Sequence, residues 1–173
     1  MQGRIRTRFG RWDLEGSGGL TREAFGREAD RISDAFGVER AGAAADRLRA
    51  SLLGLFDLCA DRAGVSRDGA ISEVQFLKIS EDLIFEQGEA AFNRALRPVV
   101  AGVVSVCDRD GDGEVDRTEF TRWLGALGLD DVRAGAAFER IDVSGRGTLG
   151  LEELLSAIRD YHYGRLDVEL IAG

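Results

Sequence analysis

The sequence predicts an all-α protein of four helix-loop-helix units in two packed pairs, compact and globular. Three observations lead there. A short loop pattern recurs four times along the 173 residues, and such recurrence constrains a fold more than any local propensity. The segments between the loops carry apolar residues three and four positions apart, the mark of one buried helical face. One proline against 23 glycines suits helices punctuated by glycine-dependent turns.

Ile5, Phe9 and Trp12 enter the first loop at i, i+4 and i+7, and Phe25, Ala29, Ile32 and Phe36 leave it. Leu48, Leu52, Leu55 and Phe56 precede the second loop; Phe76, Ile79 and Leu83 follow it. Val99, Val100, Val103, Val104 and Cys107 lead into the third, and Phe120, Trp123, Leu124 and Leu127 lead out. Val132, Ala136 and Ile141, then Leu151, Leu154, Leu155, Ile158 and His162, frame the fourth, so that eight helices are expected. Gly128 followed by Asp130 reads as a helix stop and a fresh N-cap, making the third and fourth units a tight pair. Pro98 suits two arrangements: the first turn of the helix entering the third loop, or a kink in one long helix from about Glu89. The halves are expected to divide within residues 84–98, giving an N-terminal pair over 1–88 and a C-terminal pair over 89–173.

The third loop carries the chemistry. Residues 108–119 meet the D-x-[DN]-x-[DN]-G-x5-E calcium pattern in full. Calcium takes about six to eight oxygens at roughly 2.3–2.6 Å. Asp108, Asp110 and Asp112 offer side-chain oxygens at positions one, three and five, Glu114 its carbonyl at seven, and Asp116 a water-mediated contact at nine. Glu119 closes the shell with both carboxylate oxygens at twelve, and Gly113 permits the sharp turn a Cβ would oppose. So many like charges at contact distance repel one another unless a cation neutralises them.

The other loops are incomplete. In residues 142–153, Asp142, Ser144, the Thr148 carbonyl and Glu153 remain, but Arg146 at position five removes an oxygen and adds a positive charge. An outward swing of that long side chain would let water take its place. In residues 13–24, Asp13, Glu15, Ser17 and the Gly19 carbonyl remain, with Thr21 a further candidate. Ala24 there replaces the closing carboxylate, and Glu23 stands one residue early. Residues 64–75 begin with Gly64 and end with Gln75, which makes this loop a structural partner for the first. Two columns hold across all four loops: Leu20, Ile71, Val115 and Leu149 at position eight, and Phe25, Phe76, Phe120 and Leu154 at thirteen. An aliphatic eighth residue suits a short antiparallel bridge between facing loops, and the thirteenth starts the buried face of the outgoing helix.

With a degenerate second unit, the stretch Asp82-Leu-Ile-Phe-Glu-Gln-Gly-Glu-Ala-Ala-Phe-Asn-Arg94 and the ending Tyr161-His-Tyr-Gly-Arg-Leu-Asp-Val-Glu-Leu170, the chain resembles the calerythrin-like bacterial EF-hand proteins, relatives of the sarcoplasmic calcium-binding proteins. The resemblance runs over essentially the whole chain. It implies four EF-hand units whose two pairs pack together, with calcium at the first, third and fourth loops and none at the second. Ala24 stands where that family has an acid and Arg146 where it has Asn, so both loops depart from the family's binding pattern.

Composition narrows the function. Lys plus Arg number 23 against 31 Asp plus Glu, a net charge of −8, which argues against nucleic acid or an anionic membrane as partner. Residues 1–13 hold no secretory apolar core, and the longest apolar stretch, 98–107, is too short to span a bilayer. A cytoplasmic monomer is expected. Cys59 and Cys107 form no CxxC pair and read as two buried thiols. His162, the single histidine, reads as a packing or capping residue, which leaves no His-dependent triad. With no phosphate loop either, an enzyme is not expected. Trp12 and Trp123 fall in the buried register. The apolar tail Leu166, Val168, Leu170 and Ile171 could plug a groove between the halves. The expected function is a calcium buffer or carrier, with Mg2+ as competing ion. The alternative is a calcium sensor regulating a protein target of unknown identity. Sensor grooves favour flexible Met, and here the only Met is Met1.

Overall fold

The computed structural model describes residues 2–168, so Leu170 and Ile171 of the expected tail lie outside the described residues. Eight α-helices run through them: α1 Gln2–Trp12, α2 Arg22–Phe36, α3 Ala43–Ala63, α4 Glu73–Glu81, α5 Gly88–Cys107, α6 Arg117–Ala126, α7 Asp131–Ile141 and α8 Leu151–His162. Short strands interrupt the loops: β1 Gly19–Thr21, β2 Ala70–Ser72, β3 Val115–Asp116 and β4 Thr148–Leu149. A π-helical turn, Asp82–Glu86, joins α4 to α5.

Local capping explains where helices begin. Ser72 and Gln75 form a reciprocal capping box at the start of α4, and Asp116 and Glu119 do so at α6. Thr21 accepts from the Ala24 amide at α2, and Asp130 from the Arg133 amide at α7. Gly128, at φ 92, stops α6 as expected. Pro98 lies inside a single long helix, the second of its two arrangements, and leaves the Arg94 carbonyl without its usual helical donor.

The eighth-position residues meet as a physical pair. β1 and β2 are antiparallel with Leu20 opposite Ile71, and β3 and β4 are antiparallel with Val115 opposite Leu149. All four side chains are fully buried. Each bridge holds two loops side by side.

One continuous apolar core runs from Ile5, Phe9 and Trp12 of α1 to Leu154, Leu155 and Tyr161 of α8. Trp12 meets Phe25 edge-on with centroids 4.3 Å apart, and Phe25 meets Phe56 at 5.4 Å. Burying each such ring contributes about 1.5–3 kcal/mol. α3 and α5 approach so closely that a Cβ on Gly102 would lie 2.9 Å from the Leu48 Cα. α5 is long and apolar enough to cross a bilayer by length and composition, because it begins ten residues before Pro98. Phe92, Val100, Val103, Val104, Val106 and Cys107 are nevertheless buried inside the protein, as in a core helix. Both cysteines are buried and unbridged, and burial pushes the Cys59 thiol up to about 11. His162 is buried too, its Nδ1 2.7 Å from the Ile158 carbonyl oxygen and its ring against Phe92, a packing role as expected.

Candidate metal centre

The loop between α5 and α6 gathers oxygen ligands. Carboxylate oxygens of Asp108, Asp110 and Asp112 all lie within 4.8 Å of one another. Backbone amides aim them: Asp108 accepts from Gly111 at 2.7 Å and Gly113 at 2.9 Å, Asp110 from Asp112 at 3.2 Å, and Asp112 from Glu114 at 2.8 Å. Gly113 sits at φ 83, a region L side chains rarely adopt. Glu119 is buried and already folded over the loop, its Oε1 accepting from the Arg109 amide at 2.8 Å and its Oε2 from the Asp116 amide at 3.0 Å. An all-oxygen, carboxylate-rich set on a loop so turned fits a hard divalent cation such as calcium.

The loop between α7 and α8 is arranged differently. Asp142 accepts from the Arg146 amide at 3.1 Å and the Gly147 amide at 2.8 Å, and the latter bond above all holds its carboxyl below the usual range. Glu153 Oε2 accepts from the Gly150 amide at 2.9 Å. Arg146 does not swing outward. Its Nη2 donates to Glu153 Oε2 at 2.6 Å, its Nε to Ser144 Oγ at 3.3 Å, and its Nη1 to Glu114 Oε1 at 2.9 Å. The Thr148 hydroxyl also donates to Glu114, and these bonds, Thr148 first and Arg146 second, hold the Glu114 carboxyl below its ordinary value. Two of the expected side-chain ligands, Ser144 and Glu153, thus accept from the guanidinium.

In the first loop Asp13 turns onto its own backbone, accepting from the Gly18 amide at 2.8 Å, the Ser17 amide at 2.9 Å and the Ser17 hydroxyl at 3.0 Å. The Gly19 carbonyl accepts from the same hydroxyl at 3.1 Å. Glu15 pairs with Arg27 at 3.5 Å, as does Glu23. Ala24 is buried and brings no oxygen side chain. Among the described residues, the acidic group close enough to hold an ion is the one at 108–112. In the second loop Gln75 accepts from the Ser72 amide at 2.9 Å and donates to the Ala63 carbonyl at 3.3 Å. A neutral amide there ties the end of α3 to the start of α4, while β2 pairs this loop with the first.

Sequence reasoning missed Arg27 and the Glu114 side chain. Arg27 was within reach, since Glu23 and Arg27 stand at i and i+4 of one helix. Glu114 was not, since its partners lie 32 and 34 residues on.

No protein-family model matches the chain. Calerythrin of Saccharopolyspora erythraea is 49% identical over 168 residues, spanning 97% of this chain and 95% of that protein. The chain belongs to the calerythrin family. Luciferin-binding protein of Renilla reniformis is 27% identical over 165 residues, 93% of this chain and 85% of that one. A solved structure of a Streptomyces coelicolor calcium-binding protein, described in terms of prokaryotic calcium-mediated regulation, superposes with a TM-score of 0.79 at 26% identity, covering 94% of this chain and 98% of that one. In this member of the calerythrin family, the cavity bounded by Arg8, Phe120, Trp123, Leu124, Tyr161 and His162 measures about 40 Å³. That admits a few waters and no organic ligand of appreciable size.

Proposed function

We propose that this chain is a cytoplasmic calcium-binding protein, a monomer acting as buffer or carrier of the ion, with residues 108–119 as its principal site. The observation that carries the reading is the convergence of Asp108, Asp110 and Asp112, with Glu119 bonded to the Arg109 and Asp116 amides of the same loop. Asp108, Asp110, Asp112 and Glu119 would hold the ion by side chain, Glu114 by its carbonyl, and Asp116 through water. Bound calcium would offset part of the negative charge of the loop and draw the ends of α5 and α6 together. Mg2+, which needs a tighter octahedral shell, is the competing ion. Asp13, Glu15, Ser17 and Gly19 form a weaker second site, for want of a closing carboxylate. The halves 1–88 and 89–173 act as loop pairs through their two strand bridges.

Metal binding itself is the function on this reading. The exposed large apolar residues Leu14, Val74, Val132 and Val143 come from four separate segments, whereas a sensor offers a contiguous apolar patch to its target. Partly buried Val168, in the apolar tail, packs against the core. A sensor that regulates a protein target is the second reading, supported by the likeness to the Streptomyces coelicolor protein. Calorimetric titration tests the proposal: at least one calcium ion should bind per chain, and a chain that takes up none overturns it.

A further inference from the structure

The loop at 142–153 retains most of its expected ligands yet turns them toward a side chain of its own. We propose that Arg146 sets the number of ions the chain binds, its guanidinium standing where an ion would stand and closing this loop without metal. The inference deepens the calcium-binding reading and rests on it.

The geometry supplies the argument. Positions three and twelve of the loop are Ser144 and Glu153, and both accept from the Arg146 guanidinium: Ser144 from Nε at 3.3 Å and Glu153 from Nη2 at 2.6 Å. These are groups that would otherwise turn to a cation. A guanidinium keeps its charge at any relevant pH and presents its donors as a planar fork, so it can satisfy several oxygens at once. Its remaining arm reaches across the strand bridge to Glu114 Oε1 at 2.9 Å, on the residue whose carbonyl is the seventh-position ligand of the neighbouring loop. One side chain thus closes its own loop and fastens the next.

Competition decides the outcome. The Arg146 side chain is about half exposed, at 49%, and a lone surface ion pair contributes little. Arg146 is covalently tethered, however, so its effective concentration at the site is high whatever the calcium level. A calcium ion entering the loop would have to displace the guanidinium and would then lie beside a like charge. The same tether keeps α7 and α8 joined through their loop while calcium is absent.

The test is calorimetric titration of the full chain and of Glu153→Gln, Arg146→Asn and the Arg146→Asn/Glu153→Gln double variant, with melting curves in chelator and in calcium. Glu153→Gln should bind as many ions as the unaltered chain. Arg146→Asn should bind one more, and the double variant should lose it again. In chelator Arg146→Asn should melt below the unaltered chain, and calcium should raise its melting temperature by more, since ion and arginine do the same work. The inference is overturned if Glu153→Gln costs the chain an ion, or if Arg146→Asn gains none. An unaltered chain that binds no calcium, beside an Arg146→Asn variant that binds one, would instead sink the reading of residues 108–119 and leave this inference standing.

Discussion

The guanidinium of Arg4, in the first helix, lies 4.4 Å from the ring centre of Tyr161 in the last, and donates to the Leu166 carbonyl at 3.2 Å. The same group donates to the Tyr161 carbonyl and pairs with Asp167 at 3.7 Å. One side chain from the start of the sequence therefore holds the segment that follows α8, where Leu166 and Val168 are partly buried.

That latch bears on the choice between buffer and sensor. With the tail held down, calcium should tighten the protein without uncovering apolar surface, so a hydrophobic dye should fluoresce less in calcium than in chelator. Deleting residues from 164 onward should reverse the order, and Arg4→Ala should move the intact chain toward the deletion. Strong calcium-induced dye binding by the unaltered chain would favour the sensor.

Replacing Glu119 by Gln should weaken the tightest calcium-binding event by at least about tenfold, near 1.4 kcal/mol. The change removes the closing charge, while the amide oxygen can still accept from the Arg109 or Asp116 amide, so the fold should persist. If the tightest phase survives in a titration of this variant, the site lies elsewhere.

Ala24→Glu should create or strengthen binding in the first loop. In the other three loops the twelfth residue reaches back to the amide at position nine, as Gln75, Glu119 and Glu153 do, and a glutamate at 24 could do the same. An unchanged titration would point instead to Arg27, which pairs with Glu15 at 3.5 Å and competes with an ion for it.

Acid should destabilise the protein partly through His162. Burial, with Arg8 and Arg4 nearby, lowers its pKa from 6.5 to about 3. Above pH 6.5 the ring is neutral folded and unfolded and contributes no pH dependence. Between 6.5 and 3 the unfolded chain takes up a proton that the folded chain refuses, so stability falls as pH drops, by about 1.4 kcal/mol per unit. His162→Phe should flatten denaturant-measured stability between pH 6.5 and 5 by about 2 kcal/mol. Equal slopes for the two proteins would show that the histidine is protonated in the folded state.

Much of the architecture is legible from local pattern. Apolar spacing places the eight helices, because a period near 3.6 residues records a buried face within the segment itself. It misplaces the face of α7, however: the expected Val132 and Ala136 are exposed, and Ala134, Gly135, Ala137 and Phe138 are buried instead, three of them small residues that a search for large apolar ones passes over. The strand bridges follow from the aliphatic eighth column, since the side chains opposed there, Leu20 with Ile71 and Val115 with Leu149, must share one dry layer. The ligands of 108–119 are likewise local: a twelve-residue loop carries its own carboxylates, its turn and its closing glutamate, and needs no distant partner to aim them.

Tertiary structure decided where several of the long charged side chains went. Arg146 reaches beyond its own loop to Glu114, 32 residues away, and the course of the tail depends on Arg4, 162 residues from Leu166. The start of α5 well before Pro98 rests on burial of Phe92 in a core that several helices share. The physical reason is the same in each case. Periodicity records which face of an element is apolar, whereas the partner of a long cation is chosen among rotamers of nearly equal energy by groups that only the folded chain brings within reach.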